Sequence, residues 1–281
     1  MAEPNLSIVL TNRNNGKYLK LCIDSIIKST KDMSDKEIIV VDDASTDNTF
    51  ELMQNYVRDY KNITILTLPI NMGLAVACNV GVSYAKGEWI MYTNEDTVFP
   101  LDWEDRFYHR YKKKKRLACC NLIEPGVYVP VAQGFTHKNI GTTVEEFKYD
   151  KFIEFEKSIR EKRTIHAMNG PQLFSKKDYM SIGGCDPLFQ GVSFVDTDFF
   201  IRWRLNGFDG IRTYESAHYH FSGKGGRLAG DVTKQTNEFT QTENSNAQRF
   251  ISKWGFMPYV ENGLWCAPRN KIRGIDFSEM K

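Results

Sequence analysis

Four clusters of polar residues have the types and spacing for chemistry. Asn94-Glu95-Asp96 follows an apolar run. A carboxylate there can hold Mg2+ or Mn2+ through oxygen, with phosphate oxygens and water filling the remaining positions. Such a cation neutralises charge on a departing diphosphate, although the same residue types are ordinary turn formers. Asp42-Asp43 ends another apolar run. One carboxylate could accept a hydrogen bond from a base N–H, or the pair could serve the turn and cap the next helix. Asp196 and Asp198 open a helical pattern. Carboxylates there are favoured by the helix dipole, and one facing a cleft could take a proton from an attacking hydroxyl. The plainer role is N-capping, expected of at least one of the two.

The fourth cluster is His218 and His220, which alternate with aromatic residues on an extended stretch. Both imidazoles then point to one face, where one could be a metal ligand; a lone histidine is more often structural. Ser222-Gly223-Lys224-Gly225-Gly226 adjoins them, and a glycine-rich loop carrying Lys224 could close over phosphates.

The elements that must position these groups alternate regularly at first. Leu6 to Leu10, Glu37 to Val41, Ile63 to Leu68 and Trp89 to Tyr92 are apolar runs with strand character. Between them lie helical patterns: Leu19 to Ile27, Phe50 to Tyr60 (after N-cap candidates Ser45-Thr46-Asp47), and Leu74 to Ala85, whose small residues permit close packing. Strands recurring about every 25–30 residues with helices between them describe βαβ units and a parallel sheet. Ligands of such sheets bind outside the carboxyl ends of the strands. Here those ends carry Thr11-Asn12-Arg13-Asn14, Asp42-Asp43 and Asn94-Glu95-Asp96, so polar and acidic groups collect where a ligand should lie.

The second half is less regular. A helix from Trp103 runs into Lys112-Lys113-Lys114-Lys115-Arg116, then a strand-like Leu117 to Ile123, a Gly- and Pro-punctuated stretch and a charged helical pattern from Val144 to Lys162. Ile165 to Ser175 is expected as a strand, Val195 to Asn206 as a helix, Ile211 to Phe221 as extended chain and Glu238 to Trp254 as a last helix. Trp254, Phe256, Tyr259 and Trp265 could stack on sugars, but packing is the safer expectation.

Bulk properties narrow the class. The 281 residues suffice for one large α/β domain or two small ones, and 41% hydrophobic with 26% charged residues argues against disorder. The net charge of +2, from 37 basic and 35 acidic residues, demands neither a nucleic-acid nor a membrane partner. The six cysteines show no C-x-x-C spacing. No apolar run approaches the ~20 residues of a membrane span, and a short polar start gives no secretory signal. A cytoplasmic location is expected, or the host cytoplasm for a viral protein.

Taken in order, the motifs are more specific than any one alone. Ser7 to Asn14 resembles the opening strand and loop of the inverting family 2 glycosyltransferases. Val40-Val41-Asp42-Asp43-Ala44-Ser45-Thr46-Asp47-Asn48-Thr49 is similar to that family's second-strand signature, and Asn71-Met72-Gly73-Leu74-Ala75 to its third segment. Asn94-Glu95-Asp96 stands at the place of its D-x-D motif. Gly183-Gly184-Cys185-Asp186 and Val195-Asp196-Thr197-Asp198, with Arg202 and Gly207, resemble its acceptor-side segment.

The resemblance implies a GT-A-type α/β fold: a Rossmann-like domain with a mostly parallel central sheet, helices on both faces and an acceptor-side α+β half. Residues 1–100 would form the nucleotide-sugar-binding half, 101–225 the acceptor-binding and catalytic half, and 226–281 a C-terminal extension. It also implies a nucleotide-sugar donor, UDP- or dTDP-linked, with Mn2+ or Mg2+ and inversion at the anomeric carbon. By motif match, Thr11, Arg13 and Asp43 would line the nucleoside pocket. Glu95 and Lys224 would lie at the diphosphate, Asp96 and His220 at the metal (His218 as the alternative), with Asp196 as base and Asp198 as its alternative. Three departures stand out: Asn94 replaces the first Asp of D-x-D, Val195 the Glu that commonly precedes the base, and Cys78 a frequent Arg.

Other classes are weaker. A non-catalytic nucleotide-sugar-binding module would suit the departures at Asn94 and Val195, but Asp96, Asp196 and His220 survive. A dinucleotide oxidoreductase lacks its G-x-G-x-x-G after the first strand. The favoured acceptor is a glycan. A modified base of viral DNA is the alternative, for which Lys112 to Arg116 could contact phosphates unless they are solvated cations at a helix end. The same patch, or the Val144 to Ile159 helix, could meet an anionic membrane surface for a lipid-linked acceptor. The oligomeric state is not legible in the sequence.

Overall fold

The computed structural model describes residues 4–126, 135–168, 170–221 and 241–256, and the backbone of 237–240, 259–261 and 264–266. Strands β1 (Leu6–Asn12), β2 (Lys36–Asp42), β3 (Ile63–Thr67) and β4 (Trp89–Asn94) alternate with helices α1 (Gly16–Ser29), α2 (Thr49–Asp59) and α3 (Leu74–Tyr84). β5 (Thr97–Val98) follows. A π-helical turn at Glu104–Tyr108 then runs into the short α4 (His109–Tyr111). Next come β6 (Arg116–Glu124), β7 (Thr136–His137), α5 (Tyr149–Ser158), β8 (Thr164–Ile165), β9 (Gln172–Ser175) and α6 (Lys176–Ser181). The chain continues with α7 (Val195–Leu205), β10 (Asp209–His220), α8 (Asn237–Trp254) and a small hairpin of β11 (Tyr259–Glu261) and β12 (Leu264–Cys266).

One sheet runs in the order β3-β2-β1-β4-β9-β6-β10-β5, with β7 beside β6 and β8 beside β10. β1, β2, β3 and β4 pair in parallel, and so do β6 and β10. β9 runs antiparallel between β4 and β6 and joins the two parallel blocks. This is the expected mostly parallel α/β sheet of the GT-A type. Every residue of β1 and β2 is buried, as a parallel sheet covered on both faces requires. Alternation sorts their side chains: Ile8, Leu10, Ile38 and Val40 face one apolar cluster with α1, while Val9, Ile39 and Val41 face another with α3 and α7. α3 lies close because Gly81 leaves space; a Cβ there would stand 2.5 Å from Val9 Cγ1 and 3.0 Å from Val41 Cγ2.

The second half departs from the sequence expectation in two places. The charged pattern from Val144 to Lys162 yields a helix only over Tyr149–Ser158, because the preceding residues fold back into a turn. There Thr143 carbonyl accepts from Phe147 N, and Thr142 Oγ1 donates to Glu146 at 2.6 Å. The strand expected over Ile165 to Ser175 breaks into β8 and β9. β8 pairs with β10 and β9 with β4 and β6, so the stretch crosses from one sheet position to another. No helix among the described residues is long and apolar enough to cross a membrane.

Candidate active site

Parallel register brings the carboxyl ends of β1, β2 and β4 to one edge. Asn12 lies beside Asp42, and Thr11 beside Asn94. Asp42 organises the turn that follows: it accepts from Asn12 Nδ2 at 3.3 Å, from Ser45 N at 3.2 Å and from the Ser45 hydroxyl. Asp43 reaches across to the next loop and accepts from Met72 N at 2.6 Å and Gly73 N at 2.9 Å. A carboxylate offers ~four lone-pair directions, so Asp43 keeps acceptor capacity beyond these two bonds. Arg13 grips the carbonyls of Asp43 and Ala44, where Ala44 has a φ of 56°. The Thr11 hydroxyl meets Tyr92 Oη at 3.2 Å. Thr11, Arg13 and Asp43 thus build one wall. The expected caps of α2 fall differently, with Asn48 at the N-cap and Asp47 holding the Thr49 hydroxyl at 2.6 Å.

Beyond β4 the two acids part ways. Glu95 turns inward and accepts from Asn15 Nδ2 at 2.9 Å. Burial, then the neighbouring Asp96 carboxylate, push its carboxyl up to about 8. Asp96 instead faces His220, because β5 pairs antiparallel with the end of β10 and Phe221 N donates to the Asp96 carbonyl at 3.0 Å. His220 Nε2 lies 3.4 Å from Asp96 Oδ1, and Nδ1 lies 2.8 Å from Glu124 Oε1. Burial opposes charge on this ring, but Asp96 and Glu124 prevail and raise it to about 10.

This pair could hold a divalent cation. Asp96 supplies a hard oxygen and His220 an imidazole nitrogen, and Glu124 behind the ring is the carboxylate that metal-bound histidines commonly have. A cation on Nε2 would displace the proton the ring otherwise holds. Among the described residues no group of three or more His, Cys, Asp or Glu forms a complete cage. A two-residue site leaves the rest of the shell to phosphate oxygens and water. Glu124 escaped the sequence analysis although it carries the same signal as Asp42 and Asp96: an acid ending an apolar strand, here before Pro125-Gly126.

His218 differs from His220. It is fully buried, edge-on to Phe99 at 4.4 Å between ring centroids, with Nδ1 against the Cys120 thiol. Burial drives its pKa down to about 3. As the alternative metal ligand it is poorly placed, since packing encloses it away from solvent.

Asp196 sits on the first turn of α7, exposed, while Val195 before it is buried. It lines a recess with Leu74, Cys78, Tyr92, Gln172 and Tyr179, so Cys78 lies beneath the recess where the family often has an arginine. Asp198, two residues on, is fully enclosed. Arg202 Nε donates to it at 2.8 Å and Trp254 Nε1 at 3.0 Å, while Lys253 Nζ lies 2.6 Å away. Those donors make Asp198 an anchor, whereas Asp196 is exposed and lines the recess. Lys224 lies outside the described residues.

The lysine run is distant. It precedes β6, whereas Glu124 ends that nine-residue strand, which at ~3.3 Å per residue separates them by about 25 Å. Arg116 pairs with Asp209 at 3.1 Å and Lys114 with Glu88 at 3.4 Å.

A family model described as glycosyl transferase family 2 matches residues 7–177, more than half of the chain. The chain belongs to that family. Glycosyltransferase GlyG of Streptococcus pneumoniae is 34% identical over 109 residues, 39% of this chain and 36% of that protein. The poly(ribitol-phosphate) beta-glucosyltransferase of Bacillus spizizenii is 31% identical over 111 residues, 39% of this chain and 18% of that protein. The match therefore spans about a third or less of these relatives' length. Among solved structures, GalNAc-T7 with UDP, GalNAc and Mn2+ superposes with a TM-score of 0.59 at 17% identity, over 78% of this chain and 44% of that one. S. aureus TarS 1-349 in complex with UDP-GlcNAc gives 0.57 at 15% identity, over 88% and 66%. At these identities the likeness of this family 2 chain to them is one of fold.

Proposed function

We propose that the chain transfers a sugar from a nucleoside diphosphate donor, UDP- or dTDP-linked, to a hydroxyl of a glycan acceptor with inversion. The observation that supports it most is the Asp96–His220 pair at the strand ends, backed by Glu124 and flanked by the Asp43 wall. A divalent cation held by Asp96 and His220, Mn2+ or Mg2+, would supply positive charge for the leaving diphosphate.

The chain's own residues perform the other tasks. Asp43 fixes the loop at Met72 and Gly73 and keeps lone pairs for a base N–H, beside Thr11 and Arg13. Glu124 holds Nδ1 of His220 so that Nε2 faces Asp96. Asp196 takes the proton of the acceptor hydroxyl as its oxygen bonds to the anomeric carbon. The carbon–oxygen bond to the diphosphate breaks, and its electron pair leaves with the diphosphate. Lys224, on the glycine-rich stretch, is the further cation for the phosphates. One displacement inverts the centre and needs no second carboxylate nucleophile, unlike a retaining glycosidase.

The test is a panel of UDP-, dTDP- and GDP-sugars with Mn2+, each followed by NMR with water or an added oligosaccharide as acceptor. Consumption of one donor, with the first product anomer inverted, is expected. Retained configuration would contradict the single displacement. No donor consumed by folded protein would contradict the activity.

A further inference from the structure

The acid assigned as base is carried on a turn that α7 alone does not hold. Phe194, immediately before α7, has a left-handed backbone with φ of 67°. A non-glycine residue in that conformation is strained and persists only where the surroundings impose it. No side chain caps the helix at this position. Contacts on this turn come from α8, about fifty residues further along the chain.

Five residues of α8 build this contact. Asn246 is fully buried, and its Nδ2 donates to the carbonyls of both Gln190 and Ser193, the latter at 3.1 Å. Arg249 donates to Asn246 Oδ1 at 3.1 Å, which fixes the amide so that its N–H groups face the turn. Phe250, one helical turn on, packs against Phe194 at 5.3 Å and Phe189 at 6.3 Å between ring centroids. Lys253 Nζ bridges Asp186 and Asp198, each at 2.6 Å, and Trp254 Nε1 donates to Asp198. Residues 246, 250, 253 and 254 follow helical spacing on one face. The packing is close: a Cβ on Gly191 would stand 3.0 Å from Thr242 Cγ2.

We infer that α8 is a clamp on the Asp196-bearing turn, with Asn246 and Lys253 as its positioning residues. Asn246 fixes the two carbonyls that lead into Phe194, and Lys253 ties the start of α7 to the Gly183–Asp186 segment. Neither touches the reacting atoms. Their effect passes through the position of Asp196, where a displacement of ~1 Å costs about 10²-fold in rate. The inference rests on the reading of Asp196 as base, and its test separates the two.

The full-length chain carries Asn246→Asp, which keeps the shape and removes both donors, and separately Lys253→Met beside Lys253→Arg. Turnover is measured on a nucleotide sugar that the wild type consumes in the panel above, with hydrogen exchange read across residues 190–198. Expected are kcat falling about 10- to 100-fold, an unchanged KM for the donor, faster exchange at 190–198, and recovery in Lys253→Arg. Unchanged kcat in both Asn246→Asp and Lys253→Met would overturn the clamp. A donor KM rising by the same factor as kcat falls would overturn it too, because α8 would then support the whole domain rather than this turn. Asp196→Asn retaining turnover would remove the base assignment; exchange at 190–198 would still report whether α8 holds the turn.

Discussion

Between residues 6 and 98 each candidate site group stands at the end of a strand, whereas Asp196 stands on a helix steadied from far along the chain. The first arrangement is rigid by construction. Parallel neighbours buried on both faces fix where β1, β2 and β4 end, and Thr11, Asp43 and Asp96 follow from the register. The second is assembled from polar contacts among α7, the turn before it and α8. The sheet register sets the first region, while contacts with α8 hold the second.

The sharpest way to break this contrast lies within α7. Asp196→Asn should lower turnover by about 10²–10⁴-fold, as expected for a lost general base, with the melting temperature and nucleotide binding unchanged. Asp198→Ala should act mainly on stability, with turnover falling only by the about 10- to 100-fold expected of a loosened α8 contact. Removing one partner from a fully buried ionic group costs about 3–5 kcal/mol, read as a lower melting temperature. Turnover lost equally in both, with equal loss of stability, would merge the two acids into one structural unit.

On the strand-end side, Glu124→Gln should weaken Mn2+ affinity about 10- to 100-fold, as for other residues that orient a ligating histidine, measured by the paramagnetic resonance of free Mn2+. Gly81→Ala probes the sheet itself. Its methyl would press on Val9 and Val41, with a net loss of about 1 kcal/mol or more after the gain in helix propensity, read by chemical denaturation. Smallest is Lys113→Ala in the basic run, expected within about 0.5 kcal/mol of wild type in stability and silent in turnover.

The contrast also explains what was legible in the sequence. Strand ends are written locally: an apolar run followed by Asp42-Asp43 or Glu95-Asp96 places its acids without knowledge of the rest of the fold. That is why the strand-end positions of Asp43 and Asp96 could be read from the chain, and why that of Glu124 could have been. The direction of a side chain is not local. Glu95 and Asp96 are adjacent, yet one turns to Asn15 and the other to His220, and only the β5–β10 pairing decides this. His218 and His220 share a strand face, but Phe99 and Phe107 enclose the first. The clamp was invisible because Asn246, Lys253 and Trp254 gain meaning only once α8 lies against α7.

The most direct test of the account is a calorimetric titration of UDP, dTDP and GDP into the wild-type chain and Asp96→Ala, each with and without Mn2+. One nucleotide should bind the wild type with Mn2+ and lose about tenfold or more in affinity without it; Asp96→Ala should bind equally weakly under both conditions. Wild-type affinity independent of Mn2+, or retained metal dependence in Asp96→Ala, would contradict the site assigned to Asp96 and His220.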